Sequence, residues 1–466
     1  MAAGSDLGAA LMNVSFFSDL LATITERGRN LIEPLRESRP QGEQQTAAIV
    51  ELAEALLSRR GEASGVAIAS RILESYAGLT VGPRVAFFEA LANRFGCDAA
   101  RVTAAMETYQ ADPCERTAQQ LHVAAEPRRQ ELFRRLNLAP AGTRNLVAMR
   151  EDLLEALPRR PDLAVVDADL KHLFSSWFNR GFLVVRRIDW TTSAHILEKI
   201  IRYEAVHEIR DWDDLRRRLE PPDRRCFAFF HPALNDEPLI FVEIALAREI
   251  PAAIEPLLAA DRTPLPATQT TTAVFYSISN CQKGLQGISF GSFLIKQVAE
   301  ELKRELPALD TFVTLSPVPG FSSWLERHLA DMAPAGLTPE QRDILRNSAD
   351  PGWVLDPAQA QAVNQALLPA AAYYFLRAKT SGGKPVDPVA RFHLGNGARL
   401  ERLNPGGDLS IKGLRQSRGL MVNYLYDLDA IEQNHETYAN HGTVIASAAV
   451  KRALRADPGR ALAPVP

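Results

Sequence analysis

A glycine-rich turn between a predicted strand and a predicted helix has the composition of a phosphate-binding site. The strand is Thr271–Ser279, the helix is Ser292–Leu306, and Gly284, Gly287 and Gly291 lie between them. Glycine lets a backbone approach a ligand closely, and a helix start offers unpaired N–H groups at the positive end of the helix dipole. The pattern therefore suits a pyrophosphate site, and equally a glycine-rich turn that only packs the helix on the sheet. It is neither a Walker loop nor a G-x-G-x-x-G motif.

The elements around this turn predict a strand–helix–strand unit. The helix has apolar residues four positions apart and ends at Pro307, and a second strand, Thr311–Leu315, follows it. Such a unit connects two parallel strands of one sheet. Ser316 comes directly after the second strand, at the kind of position where open α/β sheets hold their ligands.

Further strands and helices precede this unit and favour a mixed domain. Runs rich in Val, Ile and Phe, bounded by turn residues, predict strands at Phe182–Arg186, Arg225–Phe230 and Pro238–Ala245. Helical patterns interleave at Ala194–Arg202 and Asp213–Leu219. This alternation predicts an α/β or α+β architecture.

Residues 1–165 have a different texture. They are rich in Ala, Leu and Glu at helical spacing, and Gly61, Gly78, Gly96 and Pro113 separate the helical stretches. They contain no chemical motif, so we expect a helical bundle that serves packing or oligomerisation. The sequence thus predicts two domains, a helical one over 1–165 and a mixed one over 166–466, which holds the glycine-rich turn.

The composition excludes several classes of protein. The 466 residues are 46% hydrophobic and 23% charged, and 53 Lys+Arg against 56 Asp+Glu leave a net charge of −3. This balance calls for neither nucleic acid nor a membrane surface as a partner. No apolar run reaches the ~20 residues that span a bilayer. With no secretory or transit pattern and no Cys-x-x-Cys pair, we expect a cytoplasmic protein with free thiols and no structural zinc.

Two resemblances make the interpretation more specific. Gln286-Gly-Ile-Ser289-Phe-Gly291 resembles the Gln/Arg-x-x-Gly-x-Gly/Ala turn of GNAT-type acyltransferases, which holds the coenzyme A pyrophosphate, with Ser289 in place of the first glycine. A larger ordered set of segments resembles the malonyl-CoA decarboxylase family: His231–Leu246, Phe275–Ser279, Gly284–Gly287, Phe293–Lys296, Leu315–Phe321, Phe392–Ala398 and Gly419–Tyr426. The resemblance is close between Phe182 and Tyr426, and the helical amino-terminal part agrees in texture.

The family resemblance implies an enzyme that converts malonyl-CoA to acetyl-CoA and CO₂. It implies an α+β fold with a helical bundle domain followed by a GNAT-like α/β catalytic domain, no metal and no organic cofactor, and a homo-oligomer, either a dimer or a tetramer. The serine of its Ser-Pro-x-Pro-Gly-Phe segment is Ser316 here, and the histidine of its Phe-His-Leu-x-Asn-Gly segment is His393. Decarboxylation leaves a thioester enolate, which His393 would protonate while Ser316 hydrogen-bonds the substrate.

The resemblance also implies a set of substrate-binding residues. They are Gln286, Gly287, Ile288, Ser289, Gly291, Ser292, His231, Asn396 and Tyr426. Some relatives, the animal enzymes among them, have glutamate at the position of Ser289, so no carboxylate role is transferred to it; a hydrogen bond or a helix cap is expected there instead. His231 either lines the pocket or belongs to a turn, and the Asn396 amide can hold the geometry of the site.

Other functions stay open from the residues alone. A Ser–His pair also suits a hydrolase, although Ser316 lies in no Gly-x-Ser-x-Gly elbow and Pro317 has no N–H for an oxyanion hole. A GNAT-type acyltransferase would release free thiol only in the presence of an acceptor. A non-catalytic acyl-CoA-binding regulator would bind without turnover. Outside the resemblance, Ser316 could simply open a turn and His393 could be structural.

Overall fold

The computed structural model describes residues 42–58, 62–288, 294–330 and 337–455. They form two compact units. The first unit runs to Phe182 and takes in two later segments, Pro232–Asn235 and Gln282–Ser289. The second unit comprises Leu183–His231, Asp236–Cys281 and the chain from residue 290 onward. The domain boundary that the sequence predicts at residue 165 falls inside the last helix of the first unit.

The first unit is helical, as expected. Its described part contains α1 (Gly42–Leu57), α2 (Glu62–Ala77), α3 (Val81–Arg94), α4 (Ala99–Ala111), α5 (Glu115–Ala125), α6 (Arg128–Asn137), α7 (Gly142–Ala156) and α8 (Ala164–Trp177). Helical spacing of apolar residues explains the packing, since α7 buries Leu146, Met149 and Leu153 on one face. Asp98 begins α4 as an N-cap that accepts hydrogen bonds from two backbone N–H groups.

The described part of the second unit is built on a mixed sheet of eight strands. The strands are β1 (Val184–Ile188), β2 (Arg224–Phe230), β3 (Pro238–Ala247), β4 (Thr272–Asn280), β5 (Thr311–Thr314), β6 (Ser316–Pro317), β7 (Arg399–Asn404) and β8 (Met421–Leu425). Their order is β1-β2-β3-β4-β5-β8-β6, with β7 also paired to β8. β4 and β5 are parallel, and the other pairs are antiparallel.

Helices precede, connect and follow the strands of this unit along the chain. They are α9 (Ala194–Tyr203), α10 (Trp212–Leu219), α11 (Glu255–Leu258), α12 (Leu294–Glu305), α13 (Phe321–Ala330), α14 (Pro339–Asn347), α15 (Pro357–Leu376), α16 (Pro388–Gly395), α17 (Ile411–Ser417), α18 (Ile431–His441) and α19 (Ala448–Arg455). The expected strand–helix–strand unit is confirmed as β4–α12–β5, because β4 and β5 pair in parallel. The helical first part and the mixed sheet together confirm the α+β class.

The sheet core explains why the central strands read as apolar runs. Every residue of β2 is buried, and so is nearly every residue of β3. α9 and α10 contribute Ile196, Ile200 and Leu215 to a buried cluster that contains Cys226 and Phe230 of β2. Strands covered in this way have apolar residues on both faces rather than an alternating pattern.

The carboxyl-terminal half of the sheet brings distant segments together. β8 pairs with β5, β6 and β7, so it lies next to the chain that follows β5. Ser316 of the two-residue β6 pairs with Val422 of β8. In the described ranges, no helix is both long and apolar enough to cross a membrane.

Candidate functional site

Ser316 begins β6, two residues after the end of β5, and its side chain is hydrogen-bonded to a threonine on the same face. The Ser316 hydroxyl donates to Oγ1 of Thr314 at 2.9 Å, and both residues are buried. The backbone N–H of Tyr424 in β8 donates to the same Oγ1 at 3.1 Å. Residues two apart in a strand share a face, which is why Thr314 and Ser316 point the same way.

His393 is supplied by α16, whose start is fixed by a buried carboxylate. Asp387 caps the helix by accepting from the N–H of Ala390 at 2.7 Å, and it also accepts from the Tyr374 hydroxyl at 3.2 Å. Burial raises the pKa of Asp387 to about 6. At the other end of α16, the Asn396 amide donates to the carbonyl of Phe392 at 2.7 Å. Both ends of the helix that carries His393 are therefore anchored by side chains.

Ser316, His393 and Tyr426 form one hydrogen-bonded chain. Oγ of Ser316 lies 3.2 Å from Nε2 of His393, and Nδ1 of His393 lies 2.8 Å from the Tyr426 hydroxyl. The imidazole also stacks on the ring of Tyr424, with 4.5 Å between centroids and 25° between planes. The structure thus brings together the three residues that the sequence analysis singled out from three separate segments.

The direction of this chain follows from counting hydrogens. A hydroxyl carries one hydrogen, and that of Ser316 is donated to Thr314. Ser316 therefore accepts from the Nε2–H of His393. In a neutral ring Nδ1 then has a lone pair, which accepts from the Tyr426 hydroxyl. The arrangement defines the Nε2–H tautomer of His393.

Burial keeps this ring neutral. His393 is 3% exposed, and desolvation lowers the pKa of its imidazole to about 3. Desolvation likewise raises the pKa of the Tyr426 hydroxyl well above its usual value. Because burial disfavours the charged form of each group, both are uncharged near neutral pH.

An apolar cavity of about 230 Å³ opens beside the Ser316–His393 pair. Its lining residues are Val206, Phe275, Tyr276, Ile278, Asn280, Ser316, Pro317, Pro388, Val389, Phe392 and His393. No Lys or Arg is among the described residues that line it. The polar groups are few and include the hydroxyl–imidazole pair, which is the usual composition of a small-molecule site.

The glycine-rich turn belongs to the first unit. Gln286 and Gly287 are the central residues of a type II turn, with φ of −55° and +76° respectively, closed by the Ile288 N–H on the Leu285 carbonyl at 3.0 Å. The positive φ explains the glycine at 287. A Cβ at Gly284 would overlap the Val147 carbonyl of α7, so the close approach that Gly284 permits is to a helix.

The remaining predicted binding residues fall elsewhere. Ser289, Gly291 and Ser292 lie outside the described residues. His231 is buried directly after β2 and is not among the residues that line the cavity. The Asn396 side chain hydrogen-bonds the backbone at the end of α16. That His231 and Asn396 contact a substrate stays a prediction.

The sequence analysis missed several members of the site. Thr314 and Tyr424 each lie two residues from a residue it identified, Ser316 and Tyr426. The two-residue period of a strand was the signal that could have found them. Asp387 precedes a proline at a helix start, which is a recognisable N-cap pattern.

The fold and the Ser316–His393–Tyr426 site together define a class of protein. A buried hydroxyl–imidazole–phenol chain at the wall of an apolar cavity, in an α+β protein, is typical of a protein that binds a small molecule next to groups able to exchange a proton.

Comparisons with known proteins identify the family. The family model described as malonyl-CoA decarboxylase C-terminal domain matches residues 181–463, and the N-terminal domain model of the same name matches residues 95–178. Mitochondrial malonyl-CoA decarboxylase of Anser anser anser is 36% identical over 400 residues, which cover 78% of each chain. The Mus musculus protein of that name is 35% identical over 355 residues, covering 70% of this chain and 71% of that one.

Solved structures agree. The crystal structure of malonyl-CoA decarboxylase from Rhodopseudomonas palustris is similar with a TM-score of 0.84 at 57% identity, and that from Agrobacterium vitis with a TM-score of 0.84 at 59% identity. Each match covers 87% of this chain and 99% of the other. This chain belongs to the malonyl-CoA decarboxylase family.

Thr314→Val tests the direction of the hydrogen-bond chain. The substitution keeps the side-chain shape but removes the acceptor of the Ser316 hydroxyl, so this hydroxyl turns to Nε2 and His393 changes to the Nδ1–H tautomer. We expect nitrogen-15 NMR of histidine-labelled protein to report Nε2–H in the unaltered chain and Nδ1–H in the variant. Loss of the acceptor for the Tyr424 N–H should also lower the free energy of unfolding by about 1–3 kcal/mol.

Two variants control this measurement. Thr314→Ser keeps the hydroxyl and should keep the Nε2–H tautomer, and His393→Asn identifies which signal belongs to His393. An unchanged tautomer in the Thr314→Val protein would show that Thr314 does not set the direction of the chain.

Proposed function

We propose that this chain is an enzyme that decarboxylates malonyl-CoA to acetyl-CoA and CO₂, and thus acts as a carboxy-lyase. The observation that carries the proposal is the Ser316–His393–Tyr426 chain at the wall of an apolar cavity, in a member of the malonyl-CoA decarboxylase family. Cleavage of the bond between C2 and the carboxylate carbon releases CO₂ and leaves the electron pair on the thioester enolate. A proton then adds to C2.

The cavity suits the loss of the carboxylate. A substrate carboxylate inside it leaves water and meets the apolar walls formed by Phe275, Pro317 and Val389, with the Ser316–His393 pair as its polar contact. Among the described residues that line the cavity there is no Lys or Arg that could hold the carboxylate in an ion pair. Loss of neutral CO₂ spreads the negative charge into the enolate, which favours bond breaking in a dry site.

His393 supplies the proton in this proposal. A neighbouring negative charge favours the protonated form of an imidazole, so the substrate carboxylate and the enolate raise the pKa of His393 from its low value in the empty site. Tyr426 holds the other ring nitrogen at 2.8 Å and keeps Nε2 directed at the cavity side. The proton that passes to C2 is replaced from solvent after product release.

Ser316 hydrogen-bonds the substrate rather than attacking it. In the chain as it stands, His393 offers Ser316 a hydrogen and not a lone pair, so the imidazole is not placed to remove the hydroxyl proton. Pro317 provides no N–H next to the serine for an oxyanion hole. The hydroxyl hydrogen can instead turn from Thr314 to a carboxylate or thioester oxygen of the substrate. This argues against a hydrolase.

The glycine-rich turn binds the coenzyme in the same proposal. Gln286, Gly287 and Ile288, followed by Ser289, Gly291 and Ser292 along the chain, would contact the pyrophosphate of coenzyme A. A type II turn with a positive φ at Gly287 exposes a peptide N–H without a Cβ beside it. His231 and Asn396 are further proposed contacts of the substrate.

We also propose that the protein forms a homo-oligomer through its helical unit. In the described structure no side chain of α4 is buried. Met106 is 42% and Tyr109 is 37% exposed on this helix, and Val123 of α5 is 51% exposed. A helix that buries none of its own side chains and exposes apolar ones is suited to contact a second copy of the chain. The cytoplasmic location expected from the sequence stays a prediction.

Turnover of malonyl-CoA by the purified protein tests the activity directly. With no added metal or acceptor, we expect acetyl-CoA and CO₂ to appear in equal amounts and the rate to be insensitive to a chelator. Release of coenzyme A without CO₂ would instead indicate a hydrolase, or a transferase if it required an acceptor. Tight binding of malonyl-CoA without turnover would indicate a non-catalytic acyl-CoA-binding regulator.

Substitutions at the pair test the two roles separately. His393→Asn should lower kcat by about 10²–10⁴-fold with little change in KM, because the proton donor acts in the transition state. Ser316→Ala should also lower kcat. His122→Asn, at an exposed histidine of α5, serves as the control. A near-normal kcat would remove His393 from the proton-donor role, and a change in KM alone would make Ser316 a binding residue.

Met106→Glu tests the interface. A charge in the centre of an apolar contact costs its desolvation, so we expect light scattering to show a shift towards the mass of a single chain. Glu107→Gln, at the neighbouring exposed position of α4, should leave the mass unchanged. If both variants keep the mass of the unaltered protein, the α4–α5 surface is not the interface.

A further inference from the structure

A buried arginine of the helical unit holds the carbonyl side of the glycine-rich turn. Arg150 of α7 has a side chain that is 2% exposed, and its Nη1 donates to the carbonyls of Gly284 at 2.7 Å and Gln286 at 3.0 Å. Its Nε donates to Oδ1 of Asp167 in α8 at 2.7 Å. Hydrogen bonds from a charged donor are stronger than those between neutral groups. The guanidinium of Arg150, oriented by Asp167, therefore links α7 and α8 to this turn.

The contact with Gln286 sets the direction of the next N–H. The peptide bond between Gln286 and Gly287 is planar and trans, so its C=O and N–H point in opposite directions. Because Arg150 holds that C=O, the Gly287 N–H points away from the guanidinium. The N–H groups of Leu285, Gln286 and Ile288 are occupied by carbonyls of the turn and the 3₁₀ segment before it.

A lysine lies beside the same glycine. The place that a Cβ would occupy on Gly287 is 3.7 Å from the Lys171 amine, which comes from α8 one helical turn after Asp167. α8 therefore orients Arg150 through Asp167 and brings a positive charge to Gly287 through Lys171. An oriented N–H on a backbone without Cβ, next to an ammonium group, is a combination that suits a phosphate oxygen.

We propose that Arg150, oriented by Asp167, is a positioning residue for the coenzyme, and that Lys171 contacts the coenzyme pyrophosphate next to the Gly287 N–H. The inference rests on the proposed function of the turn and deepens it. It gives the helical unit a part in substrate binding: the anionic end of an acyl-coenzyme A is received on a turn whose geometry α7 and α8 determine.

Another arginine of the same unit provides a matched control. Arg129 of α6 is also buried and its Nε pairs with Asp169 of α8, two residues from Asp167. Its Nη1 donates to the carbonyls of Leu91 and Ala92 near the end of α3, and not to the turn. Arg129→Met and Arg150→Met therefore remove similar buried ion pairs, and the second alone releases the turn.

The test compares malonyl-CoA with malonyl-pantetheine, which carries the same reacting group but no pyrophosphate. In Arg150→Met, Asp167→Asn and Lys171→Met proteins we expect KM for malonyl-CoA to rise about tenfold, the equivalent of one or two lost hydrogen bonds. The kcat for malonyl-CoA and both constants for malonyl-pantetheine should stay within about twofold. Arg129→Met should behave like the unaltered protein with both substrates.

Equal effects on both substrates, or no effect of Arg150→Met and Lys171→Met on malonyl-CoA, would overturn the inference. Circular dichroism establishes whether each variant is folded. If the Arg150→Met protein does not fold, the Lys171→Met protein, changed at an exposed residue, provides the test. Calorimetric binding of acetyl-CoA against acetyl-pantetheine gives the same comparison without turnover. A protein that binds acetyl-CoA through Arg150 and Lys171 yet does not decarboxylate malonyl-CoA would disprove the proposed function and leave this inference intact.

Discussion

Burial of the His393 imidazole is the constraint on which the candidate site depends. In a ring that is 3% exposed, each nitrogen left without a partner would cost about 1–3 kcal/mol. Nε2 is hydrogen-bonded to Ser316, and Nδ1 is hydrogen-bonded to Tyr426. These partners come from β6 and from the end of β8, so the ring can be buried only when α16, β6 and β8 have converged.

The strand β8 performs two tasks because alternate residues face opposite sides. Tyr424 stacks on the imidazole and Tyr426 binds its Nδ1. Asn423, directly before Tyr424 and therefore on the opposite face, donates to the carbonyl of Thr314 at 2.8 Å and accepts from Asn404 at 2.8 Å. Thr314 is thus held at its carbonyl by Asn423 and at its hydroxyl by the Tyr424 N–H. The orientation of Ser316 is set by a network of buried hydrogen bonds and not by Ser316 itself.

The helical unit has an equally definite relation to the glycine-rich turn. Gly284 allows close contact with Val147, and Arg150 binds the carbonyls on either side of Leu285. A turn without such support would have several backbone orientations open to it, because glycine is conformationally permissive. Buried contacts with α7 select one of them, at the cost of enclosing an arginine whose charge Asp167 of α8 balances.

The sequence by itself determined the elements and the chemical groups. Apolar periodicity predicted the helical first part and the strand–helix–strand unit that became β4, α12 and β5, because local side-chain patterns decide which segments can be buried. The resemblance of short motifs identified Ser316, His393 and Tyr426, and the family. It did not reveal Thr314, Arg150 or Asp167, whose roles depend on partners up to 136 residues away. Only the tertiary structure decided the tautomer of His393 and the contact that orients the turn, since a hydrogen bond between distant residues depends on geometry that no local pattern contains.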